Sequence, residues 1–487
     1  MRTSHLGAFV FAIGVLAMLA IARPAAAGPG LVAGAVEDDV RASTLVDAET
    51  RMALMRVSGF RAVRVTSYWQ PGDKRPTDGE LQVLQNVAAA ADRNGIRLYV
   101  TVMHPGSRTT PLTSDARADF ASYAATIVRE APAVQNLIIA NEPNLNRFWL
   151  PQFALDGSSE APAAYLALLA GAYDAVKAVS PEVTVYGGAV SPRGTDRPNG
   201  IRPTHSPTTF IQALGAAYRA SGRTLPVMDA FVMHVYGDDS SIPPTKANPR
   251  TTEIGVADYD KLVALLGQAF DGTAQKGSTL PILYGEYGVE TQIPVAKESL
   301  YTGTEPTTTK PVTETTQAGY YRQALALAYC QPNVTGMLLF PSKDERARAA
   351  WQSGLWYIDG TAKSSLPRVT EALERTMGGS IAKCPGVQLN VHTTYLRFGT
   401  RSAAKRGTFR VSFTCDLDCS YEVRLLRVPG GTTRVLRKGR AEVGALTRVD
   451  LGALRPRSGG YRYTLRLVHP VNPGQPTLRR GPVFRLP

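Results

Sequence analysis

The chain has 487 residues, 44% of them hydrophobic and 19% charged, which excludes wholesale disorder and implies more than one core. The formal net charge is +14, and it is confined to one end. From Pro385 onward there are 19 Lys and Arg against 5 Asp and Glu, leaving 35 of each sign in the rest of the chain.

The first residues read as a targeting device. A basic start, MRTSH, precedes the apolar run LGAFVFAIGVLAMLAIA and a small-residue A-A-A. This pattern predicts a secretory signal peptide over 1–27, cleaved near Ala27. A membrane anchor is the competing reading, because the run is near the lower limit for a span; the A-A-A site directly after it favours cleavage. No later stretch is long and apolar enough to cross a bilayer, so no stable membrane span is expected.

From about 31 to 383 short apolar runs alternate with longer amphipathic stretches. Strands are predicted at 31–36, 61–67, 97–102, 136–141, 183–189, 229–237, 281–288 and 335–341. Helices are predicted near 44–58, 79–94, 114–131, 161–179, 207–221, 256–271, 317–330 and 366–378. The stretch 79–94 has helical spacing and stops at Gly95, a common C-terminal signal. Near-continuous apolar strands separated by helices imply a parallel sheet covered on both faces. Eight such units, with no G-x-G-x-x-G after an early strand, imply a closed (β/α)8 TIM barrel rather than an open doubly wound sheet.

After Cys384 the period changes. The segments VQLNVHTTYLRF, GTFRVSFTC, SYEVRLLRV, TTRVLRKG, TRVDLGAL and GYRYTLRLVH alternate, with turns such as PGG and SGG between them, and no helical period is present. This predicts an all-β immunoglobulin-like sandwich. The expected division is a signal peptide at 1–27, a (β/α)8 domain at 28–384 and a basic β-sandwich at 387–487.

The chemistry is expected at the C-terminal ends of the barrel strands. The fourth strand, LIIA, stops at Asn141-Glu142-Pro143, and Glu286 sits late in the seventh, in Y-G-E-Y-G. A carboxylate beside a barrel core is costly unless it is hydrogen-bonded or working. Two of them from different strands can face a bond held between them.

N-E-P after the fourth strand, H-V-Y (234–236) on the sixth and G-E-Y ending the seventh resemble the clan A glycoside hydrolases, families 5 and 39 in particular. The resemblance covers roughly 31–383. It implies a retaining glycoside hydrolase (an O-glycosyl hydrolase with a carbohydrate substrate and no cofactor). Carried over by position, it implies Glu142 as acid/base and Glu286 as nucleophile, with Asn141 on the sugar 2-hydroxyl. Tyr236 would hold Glu286, His234 would line the acid/base, Arg64 would keep Glu286 ionised, and His104 would bind substrate. Where family 5 ends its eighth strand with a tryptophan, this chain has M-L-L-F-P, so Phe340, Trp351 or Trp356 must take that place.

Trp69, Trp149, Trp351 and Trp356 all follow strands and are candidate platforms for sugar rings. Tyr284 and Tyr287 flank Glu286 on opposite faces by strict alternation, and Glu290 is expected as a solvated loop residue. A non-catalytic carbohydrate-binding barrel, or a scaffold whose β-sandwich does the binding, are the competing functions.

Export predicts an oxidising compartment, where Cys415 and Cys419, with only Asp-Leu-Asp between them, would pair and leave Cys330 with Cys384. The six histidines are too scattered for a metal centre. The basic end of a secreted, extracellular protein points to an anionic cell wall or acidic polysaccharide as partner, the competing reading being an Arg-rich composition that only aids solubility. Nucleic acid is not expected, given the export signal and no binding motif.

Overall fold

A computed structural model describes residues 30–379, 391–415, 419–442, 444–453, 458–469 and 472–486. The expected signal peptide and Cys384 lie outside the described residues, and with Cys384 the expected Cys330–Cys384 pair.

The first part is a closed barrel of eight parallel strands in sequential order, with the first pairing the last. The strands are β1 (Val32–Val36), β2 (Ala62–Tyr68), β3 (Arg97–Met103), β4 (Asn136–Ile139), β5 (Thr184–Val190), β6 (Ala230–His234), β7 (Ile282–Tyr287) and β8 (Val334–Leu339). The helices between and after them are α1 (Leu45–Val57), α2 (Asp78–Arg93), α3 (Ser114–Glu130), α4 (Ala161–Val179), α5 (Pro207–Ala220), α6 (Tyr259–Phe270), α7 (Glu314–Tyr329) and α8 (Leu366–Met377). All eight expected strand–helix units are present. The largest shifts are three residues, at the end of β6 (His234 rather than 237) and at the starts of α6 (Tyr259 rather than 256) and α7 (Glu314 rather than 317).

Local chemistry explains where the helices start. Thr44, Thr77, Thr113, Ser206 and Thr313 each precede a helix, and each side chain accepts the backbone N–H three residues on. Such a cap satisfies a donor that the helix leaves open, worth about 1 kcal/mol each. Strand alternation then sorts side chains into two cores. Outward residues pack under the helices. Inward residues, among them Ala62, Tyr99, Ile138, Tyr186, Val232, Leu283 and Leu338, fill the barrel. The same alternation places Arg64, Thr101 and His234 on the inner surface, above that apolar plug.

The second part is β9 (Thr393–Phe398), the short α9 (Arg401–Lys405), β10 (Thr408–Cys415), β11 (Cys419–Val428), β12 (Thr433–Ala441), β13 (Thr447–Ala453), β14 (Gly459–His469), β15 (Asn472–Arg480) and β16 (Phe484–Leu486). One antiparallel sheet runs β13-β10-β9; the other runs β12-β11-β14-β15, with β16 also on β14. This is the strand arrangement of an immunoglobulin-like sandwich, closed around Phe409, Val411, Phe413, Val423, Leu425, Leu465 and Leu467. The Cys415 and Cys419 sulfurs lie 2.6 Å apart inside it, adjacent but without the expected disulfide bond. The sandwich meets the barrel where Thr394 of β9 donates to Asp271 at the end of α6 (2.5 Å).

Three elements here were not expected. α9 has five residues, too few to show a period. β15 contains two prolines, which argue against a strand except at an edge, and β15 is at the sheet edge. β16 has only three residues.

One barrel seam depends on a missing side chain. A Cβ on Gly34 of β1 would stand 2.4 Å from the Ala62 carbonyl oxygen on β2. Gly34→Ala must push the two strands apart, at about 2 kcal/mol or more. The expected result is a lower thermal midpoint for the barrel; an unchanged midpoint would contradict this close approach.

Candidate active site

β4 ends abruptly because its backbone turns. Ala140 (φ 67°) and Glu142 (φ 41°) both adopt the left-handed conformation, which non-glycine residues rarely hold without support. The support is local. The Ala140 N–H donates to Val102 O on β3, and the Glu142 N–H donates to Ala189 O on β5, both at 2.8 Å. Asn144 braces the turn by donating to Ser191 and His205 carbonyls while accepting the Ser191 N–H. Gln152 donates to the Pro143 carbonyl. The strand end is therefore held as a rigid corner that presents Asn141 and Glu142.

β7 uses a different device. Leu283 points into the barrel, so strict alternation would turn Glu286 outward toward the helices. The β6–β7 register shifts between Met233↔Tyr284 and His234↔Glu286, leaving Gly285 as an extra residue on β7. This bulge re-aims Glu286 inward. Gly285 suits the bulge, because a Cβ there would meet Val232 Cγ1 at 2.4 Å. The same bulge puts both Tyr284 and Tyr287 in the outer core, correcting the expectation that they lie on opposite faces.

Arg64 joins these parts. It is 3% exposed and its guanidinium is almost fully used. It donates to Thr101 Oγ1 on β3 (2.8 Å), Asn141 Oδ1 after β4 (3.0 Å), the Gly285 carbonyl (3.2 Å) and Glu286 Oε1 (2.9 Å) on β7. The other Glu286 oxygen accepts from the Tyr236 hydroxyl at 2.8 Å. His234 bridges: Nδ1 is 2.9 Å from Glu142 Oε1 and 3.4 Å from Glu286 Oε2, and Nε2 is 3.4 Å from Arg64. An arginine can only donate, so Asn141 must turn its oxygen to Arg64, leaving its NH₂ for another partner. His234 Nδ1 faces the Glu142 carboxylate, and a proton on that nitrogen donates to it.

The electrostatics follow from these contacts. Burial alone would push the Glu286 carboxyl up. Positive charge on His234 and Arg64, with hydrogen bonds from Tyr236 and Arg64, outweighs burial and holds it below the ordinary carboxylate range. Burial and the Glu286 charge push the Tyr236 hydroxyl far up, so it stays a donor. Glu142, His234 and Glu286 each bring a polar atom within 4.8 Å of the others. Three such groups could hold a cation, but one bound there would face the Arg64 guanidinium that already compensates Glu286.

The structure thus brings together Glu142, Glu286, Asn141, His234, Tyr236 and Arg64. It separates the others. Trp69 and Trp149 have no exposed surface and cannot be platforms. Trp69 packs on Phe120 and donates to the Asp73 carbonyl; Trp149 packs between His104 and Tyr165. His104 is 2% exposed, tied through Nδ1 to the Gly106 carbonyl, and burial lowers its pKa so that it stays neutral. Its contacts are those of a packing residue.

Trp356 donates to Ser58 at the end of α1 and stands beside Leu54 and Met55, in the helix layer. The tryptophan that reaches the cluster is Trp351, half-buried, stacked on Tyr236 at 4.7 Å and edge-on to Phe340. Glu290 is buried, not solvated; burial pushes its carboxyl up to about 7, and it faces the Gln352 N–H. Thr101 and Gly285 were not singled out beforehand, since neither carries a chemical signature.

No family model matches the chain, and no curated protein matches it. Solved structures do resemble it at a distance. A glucosidase from Croceicoccus marinus aligns with 88% of this chain and 94% of its own at 13% identity, TM-score 0.49. The exo-β-1,4-mannosidase Op5Man5 from Opitutaceae bacterium strain TAV5 aligns over 72% and 60% at 18% identity, TM-score 0.46. A Bacteroides uniformis β-glucuronidase aligns over 94% of this chain at 12% identity, TM-score 0.46, and the chain spans 46% of that protein's length.

The role of Arg64 is testable without a substrate. A cation beside a carboxyl favours its ionised form, so removing the cation raises the pKa. Arg64→Met is expected to move the Glu286 titration up by about 1 to 3 pH units in a carboxyl-carbon NMR titration. An unmoved titration would show that Arg64 does not set the charge of Glu286.

Proposed function

We propose that this protein is a secreted glycosidase that cleaves O-glycosidic bonds by double displacement with retention of anomeric configuration. The observation that carries the reading is the pair Glu142 and Glu286, whose oxygens approach within 4.8 Å. That approach fits the roughly 5 Å carboxylate separation of retaining enzymes rather than the 6.5 to 9.5 Å of inverting ones.

The roles follow from unequal surroundings. Arg64 and Tyr236 serve Glu286, which is held ionised and suits a nucleophile. A Glu286 oxygen attacks the anomeric carbon while the bond to the leaving oxygen breaks and that oxygen takes the Glu142 proton. Glu142, now a carboxylate, then removes a proton from water as the water oxygen attacks the same carbon and releases Glu286. His234, hydrogen-bonded to Glu142, steadies both of its states. The Asn141 NH₂ is free to donate to the sugar 2-hydroxyl, a bond that strengthens as charge develops. Trp351, braced by Tyr236 and Phe340, is the platform for a sugar face in place of the eighth-strand tryptophan. Export, with pairing of the cysteines, belongs to the same reading and is supported by the N-terminal sequence pattern.

Glu142→Ala tests the assignment. Turnover of glycosides with poor leaving groups is expected to fall by about 10² to 10⁴, and dinitrophenyl glycosides much less in the first step. Azide should restore turnover by replacing the water that Glu142 no longer activates, giving a glycosyl azide of retained configuration. An equal loss across leaving groups, with no azide product, would remove Glu142 as acid/base.

A further inference from the structure

The outer face of the five-stranded sheet carries a basic array that the barrel chemistry does not use. Strand register puts its members side by side. Lys438 pairs with Glu422, and Glu422 with Arg466. Arg440 lies opposite Ser420, and Arg462 opposite Leu426. Arg424 lies opposite Thr464, and Thr464 opposite Arg480. The intervening residues Val423, Leu425, Leu465 and Leu467 are buried in the sandwich, so the basic set faces away from the core.

These six cations share the face with Glu422, which pairs with Arg424 and Lys438, and Arg485 opposite Gly460 joins them. The Lys438 and Arg424 side chains keep 68% and 44% of their surface, and Arg440, Arg466 and Arg480 are exposed. The Arg462 Nε has no hydrogen-bond partner among the described residues.

We propose that this face binds a linear acidic polysaccharide bearing carboxylates. Sheet geometry spaces the cations at about 5 Å across strands and about 7 Å along them, comparable to the repeat of charged sugars along a polymer. All but Lys438 are arginines, whose planar fork matches a carboxylate in two-point contact. The outward positions among the described residues carry no aromatic side chain, and the exposed Leu436 and Leu478 sit at opposite edges. That lacks the apolar anchor of a membrane-surface site. Binding is therefore ionic, with an extended chain lying across the sheet. Choosing a glycan as partner rests on the glycosidase reading of the barrel; the charge array does not.

The test uses the full chain in affinity electrophoresis through gels containing polygalacturonate or neutral dextran, at low and moderate salt. Retardation by polygalacturonate alone, weakening with salt, is expected. Combined Arg424→Gln, Arg462→Gln, Arg466→Gln and Arg480→Gln should weaken it about ten-fold or more. Combined Arg397→Gln, Lys405→Gln, Arg406→Gln and Arg448→Gln removes the same charge elsewhere on the sandwich and should change it by roughly two-fold or less.

Equal losses from the two sets would overturn the proposed face. Tighter binding to duplex DNA or to anionic phospholipid vesicles than to polygalacturonate would overturn the partner. If the first set fails to fold, judged by its thermal midpoint, Arg466→Gln with Arg480→Gln carries the same comparison. Binding is scored without turnover, so its failure and a failure of the glycosidase reading are separately visible.

Discussion

The buried contact between Arg64 and Glu286 is the constraint on which the site depends. A carboxylate in a barrel interior needs compensation, and a guanidinium there needs acceptors on several sides. Both needs are met by one geometry, in which Arg64 on β2 is held by Thr101 on β3, Asn141 after β4 and Glu286 on β7. A single side chain therefore fixes the relative positions of strands on opposite sides of the mouth. Removing one partner of such a pair leaves the other uncompensated, at about 3 to 5 kcal/mol. The same contact that makes the charge tolerable makes Glu286 a carboxylate of fixed orientation.

The two carboxylates reach the mouth by different backbone devices, and that difference matters for their chemistry. Glu142 stands on a corner of left-handed residues and is joined to His234. Glu286 is turned inward by a one-residue bulge and gripped by Arg64 and Tyr236. One position suits a group that exchanges protons with leaving group and water. The other suits a group that stays charged until it forms a bond. Strain at β4 is held by hydrogen bonds to β3 and β5, so the barrel closure itself maintains the corner.

Most of the barrel was legible in the sequence because apolar runs alternate with amphipathic stretches, five of the helices opening on a Thr or Ser cap. The IIANEPN stretch was legible because a strand that stops on polar residues is conspicuous. The orientation of Glu286 was not, since alternation alone sends it outward and only the register with β6 reveals the bulge at Gly285. The tryptophans were misjudged for a related reason. Position after a strand is visible in sequence, whereas burial depends on which helix closes over it: α3 covers Trp69 through Phe120, and α4 covers Trp149 through Tyr165. Thr101 was invisible because a threonine in a strand is ordinary until an arginine is seen to use its hydroxyl. In the sandwich, alternation revealed the strands, while the sharing of one face by Arg424, Arg466 and Arg480 required the pairing register.

The central claim is that Glu286 forms a covalent bond to the sugar. It is tested most directly by intact-protein mass and peptide mapping after incubation with a panel of activated 2-deoxy-2-fluoro glycosides, which slow release of the glycosyl-enzyme. The account predicts a mass increase of one fluoroglycosyl unit, mapping to Glu286. A label on another residue, or no label together with glycoside turnover that survives Glu286→Gln, would contradict it.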